Sequence, residues 1–410
     1  MPRFLGELIS VDKAIEKALS SIELRLDTIE TSVWDAMGLL LAEDIRATHD
    51  QPPFDRSAVD GYAVKSEDTI GASQLNPAQL RIKGLMRPGD KPSKYTVGYG
   101  EAVEVSTGAP LPVGADAVVM YEDTSRVGEY VEIYRPVAPY DNVSKRGEDY
   151  RAGEILVSRN TLLKPWDLAI IASNGFDKVK VYEKIRIGII CTGGEVVEPG
   201  GEAGEGEVYN STGVLVKNYL DQMSFVETKY YGVIGDDPGL VRDFLEHAIR
   251  ENHMVITCGG AGVSDVDVVK DTIESIGEYI FRGVALRPGR PTSLAVVNGK
   301  PVFMLSGYPV AAWTGLEALV KPLLYKWLGL NEPPKPVVKA RVKKRVPNVI
   351  GYRSYIRVRL WFENGEYVVE PYMLRGSGVL SSLVKSNAYI VIPEDMEGFQ
   401  EGDIVDAILL

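Results

Sequence analysis

Between residues 184 and 330, short apolar runs alternate with amphipathic segments, and this pattern constrains the fold more than any other feature of the chain. The run Ile185–Cys191 is largely apolar, as expected for a strand buried on both faces. Asp237 and Pro238 mark a helix start, because Asp caps a first turn and Pro fits the first helical position. Strands alternating with helices predict a parallel, doubly wound sheet. Further strands are predicted over 225–234, 254–258, 293–297 and 302–305, with helices over 266–276 and 309–327 and another from Thr212.

The chain on either side of this segment is β-rich and divides by composition. Residues 51–140 hold short β-rich runs broken by Gly and Pro, which predicts a lobe inserted into its neighbour. A helix capped by Ser10, a short helix near Ser32–Ala42 and a helix over Pro165–Asn174 are predicted around it. The prolines at 333, 334 and 336 mark a boundary, and Asn364-Gly365 beyond it predicts a β-hairpin.

Composition excludes several classes of protein. With 45 basic and 57 acidic residues, the net charge of −12 disfavours non-specific binding to nucleic acid or anionic membranes. The chain has two cysteines and three histidines, which cannot supply a disulfide framework or a zinc site of four cysteines. There is no apolar run of about 18 residues, and the N-terminus lacks the apolar core of a signal peptide. We therefore expect a cytoplasmic protein with neither nucleic-acid nor membrane partners.

Three predicted strand ends carry loops rich in glycine and carboxylates. In a parallel sheet such loops meet at one edge, where ligands bind. Glycines allow the backbone to approach a phosphate closely, whereas carboxylates repel it unless a divalent cation lies between them, and oxygen ligands suit Mg²⁺. The alternative is that these residues only form turns and helix caps, as Asp237 could. The candidate ligand-binding residues are Gly193, Gly259, Gly260 and Ser264, and the candidate metal ligands are Glu195, Asp236, Asp237 and Asp267.

A basic turn precedes the last predicted strands of this segment. Arg287 and Arg290 stand among Pro288, Gly289 and Pro291, with Arg282 shortly before them. Guanidinium groups suit a tetrahedral oxyanion or a phosphate, although a solvated basic turn would have the same sequence. The following turn, Ser306–Pro309, adds a hydroxyl and backbone N–H groups to the candidate oxyanion site.

The other motifs of the sequence are either incomplete or lie in irregular loops. The glycines near 260 do not complete the G-x-G-x-x-G pattern of dinucleotide sites, and no P-loop motif is present. Residues 52–63, 106–116 and 146–149 combine small residues with carboxylates outside any helix or strand period. Loops of this kind often carry function, but each is also consistent with a structural turn.

These segments together resemble one family. PPFDRSAVDGYAV, STGAPLPVGADAVVMYED, KRGEDYRAGE, CTGGEVVEPG, GVIGDDP, ITCGGAGVSDVDVVKD, LRPGRP and LSGYPVAA occur in this order along nearly the whole chain. The chain is thereby similar to the molybdopterin molybdenumtransferase (molybdenum insertase) family, which is related to the gephyrin E-domain.

The resemblance implies an elongated homodimer with four domains. Residues 1–50 and 141–183 would form a mixed α/β linking and dimerisation domain, and 51–140 a β-rich inserted domain. Residues 184–330 would form a doubly wound molybdopterin-binding α/β domain, and 331–410 a C-terminal β-barrel-like domain. The implied reaction inserts molybdate into adenylylated molybdopterin with Mg²⁺ and releases AMP, and a transient contact with the adenylyltransferase is a further expectation. Functional positions carried over are Asp55, Asp60, Thr107, Asp149, Glu195, Asp236 or Asp237, Asp267, Ser306 and Pro309.

The sequence departs from the family pattern at a few of these positions and leaves alternatives open. Gly194, Ser306, Tyr308 and Ala311 stand where the family usually has other residues. Tungstate resembles molybdate in size and charge, so either oxyanion fits. A molybdopterin adenylyltransferase shares the α/β fold but would leave the flanking regions unexplained. A non-catalytic scaffold that binds partner peptides, like the gephyrin E-domain, is the remaining alternative.

Overall fold

The computed structural model describes residues 8–260, 268–372 and 376–410. The chain separates into two compact units. The first comprises Met1–Glu30, Met37–Ala42 and Lys180–Leu410, and the second comprises Thr31–Ala36 and Glu43–Val179. This separation is coarser than the predicted division into four domains, which stays a prediction. Within the described ranges, no helix is long and apolar enough to cross a membrane.

A six-stranded sheet forms the centre of the first unit. Its first four strands are parallel and its last two are antiparallel to their neighbours. In spatial order the strands are Val226–Ile234, Ile185–Thr192, Met254–Cys258, Lys300–Leu305, Ser293–Val297 and Glu278–Phe281. The helices of this region are Ser211–Leu220, Pro238–Glu251, Val268–Ile276 and a continuous helical stretch made of Pro309–Gly315, Leu316–Val320 (π-helical) and Lys321–Trp327.

The prediction of a wholly parallel sheet is correct for four strands and wrong for the other two. Strands Ser293–Val297 and Lys300–Leu305 are joined by Asn298-Gly299, whose φ angles of 51° and 76° both lie in the left-handed region. Such a two-residue turn returns the chain antiparallel to itself. Asn-Gly is a strong hairpin signal, so this correction was available from the sequence.

The core of this region follows from the hydrophobic pattern. The strand Ile185–Thr192 is buried along almost its whole length. Helix Pro238–Glu251 lays Val241, Leu245 and Ala248 against the sheet, and Asp237 caps it by accepting a hydrogen bond from the Leu240 N–H at 2.9 Å. An amphipathic helix with this pattern gains most of its stability from such burial. The sheet edge that carries the loops is thus held by a rigid core.

The C-terminal part of the first unit is a closed five-stranded barrel. Its strands, in order around the ring, are Arg353–Glu363, Glu366–Pro371, Val337–Val342, Ile404–Leu409 and Ala388–Ile392, and the last pairs again with the first. The predicted hairpin at Asn364-Gly365 joins the first two strands. Leu286–Arg287 adds a short parallel pairing to Arg353–Ser354, which brings the basic turn to the barrel.

The second unit is built on a six-stranded sheet, which confirms a β-rich region there. Tyr62, Val119 and Val131 are among the residues that form its core. The predicted helix forms as Pro165–Ser173, and it lies in the same unit as this sheet. In spatial order its sheet strands are Ala117–Met120, Gly61–Val64, Glu101–Val105, Ala78–Met86, Tyr130–Ile133 and Thr124–Val127.

The N-terminal helix Val11–Ser21 begins after Ser10 as predicted, but the helix predicted near Ser32–Ala42 does not form. Thr28–Ser32 is a strand, and turns follow it. Gly38 has a φ of 72°, and its carbonyl accepts the Ser224 hydroxyl at 2.8 Å. A residue in the left-handed conformation cannot continue an α-helix. The helix predicted here from the apolar spacing is therefore wrong.

The remaining elements are short. The strands are Ile45–Arg46, Arg56–Ser57, Val143–Ser144, Ile155–Val157, Lys178–Tyr182, Val196–Val197, Val208–Tyr209, Leu286–Arg287, Val346–Pro347 and Gly398–Phe399. The 3₁₀ and α turns are Ser66–Thr69, Pro92–Lys94, Tyr121–Asp123 and Ser381–Val384.

Candidate active site at the carboxyl end of the α/β sheet

A cavity of about 700 Å³ lies at the carboxyl ends of the parallel strands, and we call it the acidic cavity. Two carboxylates, Glu195 and Asp236, belong to its lining. It brings together seven of the predicted site residues: Gly193, Glu195, Asp236, Gly259, Gly260, Ser306 and Pro309. Residues from four different strand ends therefore meet at one place, as the strand-end argument expects.

Glycine is required where two of these strand ends pack together. Gly259 has a φ of 105°, and a Cβ there would lie 2.6 Å from the backbone oxygen of Thr192. Its N–H donates to the Leu305 carbonyl at 3.0 Å. No other residue adopts this conformation without displacing backbone, so the floor of the acidic cavity is made of close-packed main chain.

The two carboxylates of the acidic cavity differ in their surroundings. Asp236 accepts the Gly194 N–H at 2.9 Å, and Glu195 is exposed to solvent. Within the described part of the chain, neither forms an ion pair. Asp237 differs, because its carboxylate caps helix Pro238–Glu251 and it is not among the described residues that line the cavity. The capping interpretation of Asp237 thus accounts for its position.

A second cavity, of about 820 Å³, adjoins the first, and we call it the basic cavity. Arg287 and Arg290 of the predicted basic turn line it, and none of its described lining residues is acidic. The cavities share three residues, Pro291, Ser306 and Tyr308. The hydroxyl oxygen of Ser306 accepts the Tyr308 N–H at 3.2 Å. The site therefore has an acidic part and a basic part on either side of one turn.

Arg357 is a third cation of the basic cavity, and sequence reasoning missed it. Its side chain is 3% exposed, donating from Nε to the Ser382 hydroxyl at 3.2 Å and from Nη1 to the Tyr355 carbonyl at 2.9 Å. Burial lowers its pKa to about 10. Over the described ranges no carboxylate pairs with it. A buried cation without a counter-ion is costly, so this cavity favours an anionic ligand.

The strand pattern explains why Arg357 was missed. Ile356 and Val358 point into the barrel core, so alternation places Arg357 on the outer face, which sequence reasoning takes as exposed to solvent. It is buried nonetheless, and the Ser382 hydroxyl on the short helix Ser381–Val384 lies against its Nε. An Arg within a run of apolar and aromatic residues, YIRVRLWF, is the one signal that the sequence offered.

Among the described residues, Arg282 lies with Asp237 outside the lining of both cavities. Arg282 forms an ion pair with Glu274, and its guanidinium lies 4.0 Å from the centre of the Tyr279 ring. Its role as an oxyanion ligand stays a prediction that this placement does not support. Ser264 and Asp267 lie outside the described residues.

The second unit holds the other four predicted residues. Asp60 Oδ1 accepts the Thr107 N–H at 2.8 Å, so these two lie together. Asp55 Oδ1 accepts the Arg146 N–H at 2.8 Å, and the Asp149 N–H donates to the Gln51 carbonyl at 3.0 Å. Hydrogen bonds from backbone N–H groups hold the Asp60 and Asp55 carboxylates in their loops.

The residues of the acidic cavity fit Mg²⁺ only if a bound ligand supplies further oxygen donors. In the described ranges, no group of three or more His, Cys, Asp or Glu is placed to hold a metal ion. Glu195 and Asp236 nevertheless offer oxygen donors in one cavity. Mg²⁺ is commonly held by one or two carboxylates together with substrate phosphates and water, so these two residues would hold it when a phosphate is present.

Three family descriptions match the sequence, one after another. Residues 9–175 match the MoeA N-terminal region (domain I and II), residues 188–326 match a probable molybdopterin binding domain, and residues 339–410 match the MoeA C-terminal region (domain IV). The chain belongs to the MoeA family. Both cavities lie within the second and third of these regions and the short segment between them.

Individual MoeA relatives match over almost the full chain. A putative molybdopterin biosynthesis protein of Methanocaldococcus jannaschii is 35% identical over 99% of this chain and 98% of its own length. A molybdopterin molybdenumtransferase of Staphylococcus epidermidis is 33% identical over 98% of this chain and 95% of its own length. The crystal structure of a molybdopterin biosynthesis MoeA protein from Pyrococcus horikoshii is 35% identical, with a TM-score of 0.83, and the match covers 98% of this chain and 100% of that one. The resemblance stated from the motifs and the multidomain α/β fold class are both confirmed.

Proposed function

We propose that this MoeA-type molybdopterin molybdenumtransferase of molybdenum cofactor biosynthesis transfers molybdenum from molybdate to adenylylated molybdopterin and releases AMP. The observation that carries the proposal is the pair of adjoining cavities that share Pro291, Ser306 and Tyr308. The substrate has a phosphate-bearing part and a part that reacts with the oxyanion. A site for this reaction therefore needs an acidic cavity that holds Mg²⁺ and phosphate next to a basic cavity that holds the oxyanion.

The acidic cavity suits the phosphate side of the substrate. The Gly259 and Gly260 backbone permits close approach, and Glu195 and Asp236 would hold Mg²⁺ against phosphate oxygens. Bound there, Mg²⁺ would supply charge neutralisation for the departing phosphate. In this arrangement Glu195 and Asp236 act as ligands, and the close-packed glycine floor positions the substrate.

The basic cavity suits the oxyanion. Arg287, Arg290 and Arg357 offer cationic donors to a tetrahedral dianion, and the Ser306 hydroxyl offers a further hydrogen bond. Arg357 contributes most per contact, since it is withdrawn from water and its charge has no described carboxylate partner. Tungstate carries the same charge on nearly the same shape, and we propose that the cavity accepts both.

The remaining parts of the proposal concern the assembly and the second unit. We propose that the chain is a homodimer, and that Asp55, Asp60, Thr107 and Asp149 complete the catalytic machinery. We also propose that Asp267 is a further metal ligand and that Ser264 is a ligand-binding residue.

The experiment is a direct assay with adenylylated molybdopterin and molybdate, following AMP release and molybdenum bound to molybdopterin. We expect turnover with Mg²⁺ and its loss when a chelator removes the ion. Binding of substrate without turnover under any metal condition would favour the scaffold alternative and contradict the proposal.

A further inference from the structure

A buried carboxylate outside both cavities joins three parts of the first unit. Glu317, whose side chain is 7% exposed, accepts hydrogen bonds at Oε1 from the Tyr389 hydroxyl at 2.8 Å and from Lys335 Nζ at 2.5 Å. The Tyr219 hydroxyl donates to its other oxygen. Tyr389 lies on a barrel strand, Lys335 on the segment that leads into the barrel, and Tyr219 on helix Ser211–Leu220.

Glu317 is ionised despite its burial. Burial disfavours the charged form, but Lys335, the Tyr219 hydroxyl and Lys321 outweigh that effect and hold the pKa of Glu317 below its ordinary value. The residue also lies in the π-helical turn Leu316–Val320, a local irregularity that often accompanies functional sites. A buried charge with several donors defines one geometry, because losing any single donor leaves it poorly satisfied.

The barrel face bound by Glu317 is the face that carries Arg357. Arg357 and Tyr389 are direct partners across two antiparallel strands, so their side chains emerge side by side. Tyr389 stacks on Tyr355 with ring centres 5.8 Å apart, and the edge of Trp313 packs on Tyr389 at 5.3 Å. The Tyr355 carbonyl, in turn, accepts a hydrogen bond from Arg357.

The helical stretch that carries Glu317 also contributes Ala311 to the lining of the basic cavity. It begins at Pro309, directly after Ser306 and Tyr308, and Trp313 and Glu317 follow within the same helical stretch. At a rise of about 1.5 Å per residue, Glu317 lies roughly 12 Å along the helix from Pro309. One rigid element thus connects the turn at Ser306 with the barrel face at Arg357.

We propose that Glu317 is a positioning residue for oxyanion binding: through the Tyr389 hydroxyl it holds the barrel face that carries Arg357 against the helix that follows the Ser306 turn. The inference rests on the proposed function, because it takes the basic cavity as the oxyanion site. It adds that the geometry of this site is set from outside the cavity by a carboxylate that contacts no ligand.

The experiment measures binding of inorganic molybdate by equilibrium dialysis for the full-length protein and its variants. Tyr389→Phe removes the hydroxyl and keeps the ring stacking. We expect it to weaken molybdate binding about 3- to 10-fold, the range for one ordinary hydrogen bond, and to leave affinity for adenylylated molybdopterin within about twofold. Glu317→Gln, which can still accept the Tyr389 hydroxyl, should bind molybdate more tightly than Glu317→Ala.

A matched control separates positioning from loss of stability. Asn387 bridges the Leu360 N–H and carbonyl at 2.7 and 2.8 Å, within the barrel and outside the lining of the basic cavity. Asn387→Ala should lower the melting temperature by at least as much as Tyr389→Phe, yet leave molybdate binding unchanged. Equal loss of molybdate binding in both variants would overturn the inference, because general destabilisation would then explain it.

A double variant distinguishes failure of this inference from failure of the proposed function. In an Arg357→Met background, Tyr389→Phe should add less than about a twofold loss, since coupled residues are not additive. Full additivity would refute positioning through Arg357. If Arg357→Met itself binds molybdate like the wild type, the assignment of the basic cavity is wrong. If Arg357→Met weakens binding and Tyr389→Phe does not, only the positioning inference is wrong.

Discussion

We expect the Arg357→Met variant to fold, with a loss of stability of no more than about 3 kcal/mol, and to lose oxyanion affinity. Met keeps much of the length of the side chain without the charge. Burial removes water from the guanidinium of Arg357 and lowers its pKa from the ordinary value to about 10. A difference of that size corresponds to about 3 kcal/mol against the charged form.

Two hydrogen bonds oppose this penalty in the wild type. Arg357 donates to the Ser382 hydroxyl and the Tyr355 carbonyl, and each hydrogen bond from a charged donor stabilises by about 1.5–3 kcal/mol. Together the two bonds equal or exceed the burial penalty, so replacing the cation with an apolar side chain should lower the free energy of unfolding by no more than about 3 kcal/mol.

The effect on ligand binding has no such compensation. One charge-assisted hydrogen bond contributes about 1.5–3 kcal/mol, so molybdate affinity should fall about 10- to 150-fold. The assay pairs denaturant unfolding with molybdate and tungstate titrations at fixed ionic strength. A variant that is destabilised by more than about 3 kcal/mol and still binds molybdate normally would refute the reasoning, because Arg357 would then be a structural residue.

Four further outcomes are expected. Glu195→Gln should leave the melting temperature within about 2 °C and abolish Mg²⁺-dependent AMP release, as measured by calorimetry and chromatography, since an exposed carboxamide replacement costs little stability. Arg287→Ala should weaken molybdate binding about 10-fold or more, whereas Arg282→Ala, which breaks the pair with Glu274 and the contact with the Tyr279 ring, should not change it. Light scattering should give about twice the 45.0 kDa chain mass, and a monomer at micromolar concentration would contradict the proposed homodimer. The pKa of Glu317 in the folded protein lies below its ordinary value of 4.5, so this carboxylate stabilises the fold above about pH 4.5. That contribution is lost as the pH falls through the folded pKa. In Glu317→Gln, the free energy of unfolding should therefore depend less on pH in the acidic range.

The sequence alone determined the local elements of the α/β region. Strands 254–258 and 293–297 have the bounds expected from their apolar runs, and Asp237 with Pro238 begins a helix as their chemistry requires. Asn364-Gly365 turns a hairpin for the same local reason. Hydrophobic period, helix caps and turn residues act over a few neighbouring residues, so they can be derived from the chain without knowing what packs against them.

The grouping of strand-end loops was also accessible from sequence, because parallel strands present their carboxyl ends at one edge. Gly193, Glu195, Asp236 and Gly259 accordingly line one cavity. Asp237 shows the limit of that argument. It is adjacent to Asp236, yet its carboxylate caps a helix, and only the direction of the side chain distinguishes the two.

The tertiary structure decided which charges reach the ligand. Arg282 and Arg287 both belong to the same basic stretch of sequence, but Glu274 and Tyr279 hold Arg282 elsewhere. Arg357 has the alternation of an exposed residue on a barrel strand, yet it is buried, and the Ser382 hydroxyl from 25 residues further along the chain lies against its guanidinium. Burial and charge pairing depend on contacts between residues that are far apart in the chain. The alternating pattern of a strand predicts the face on which a side chain lies, but it does not predict which residues cover that face.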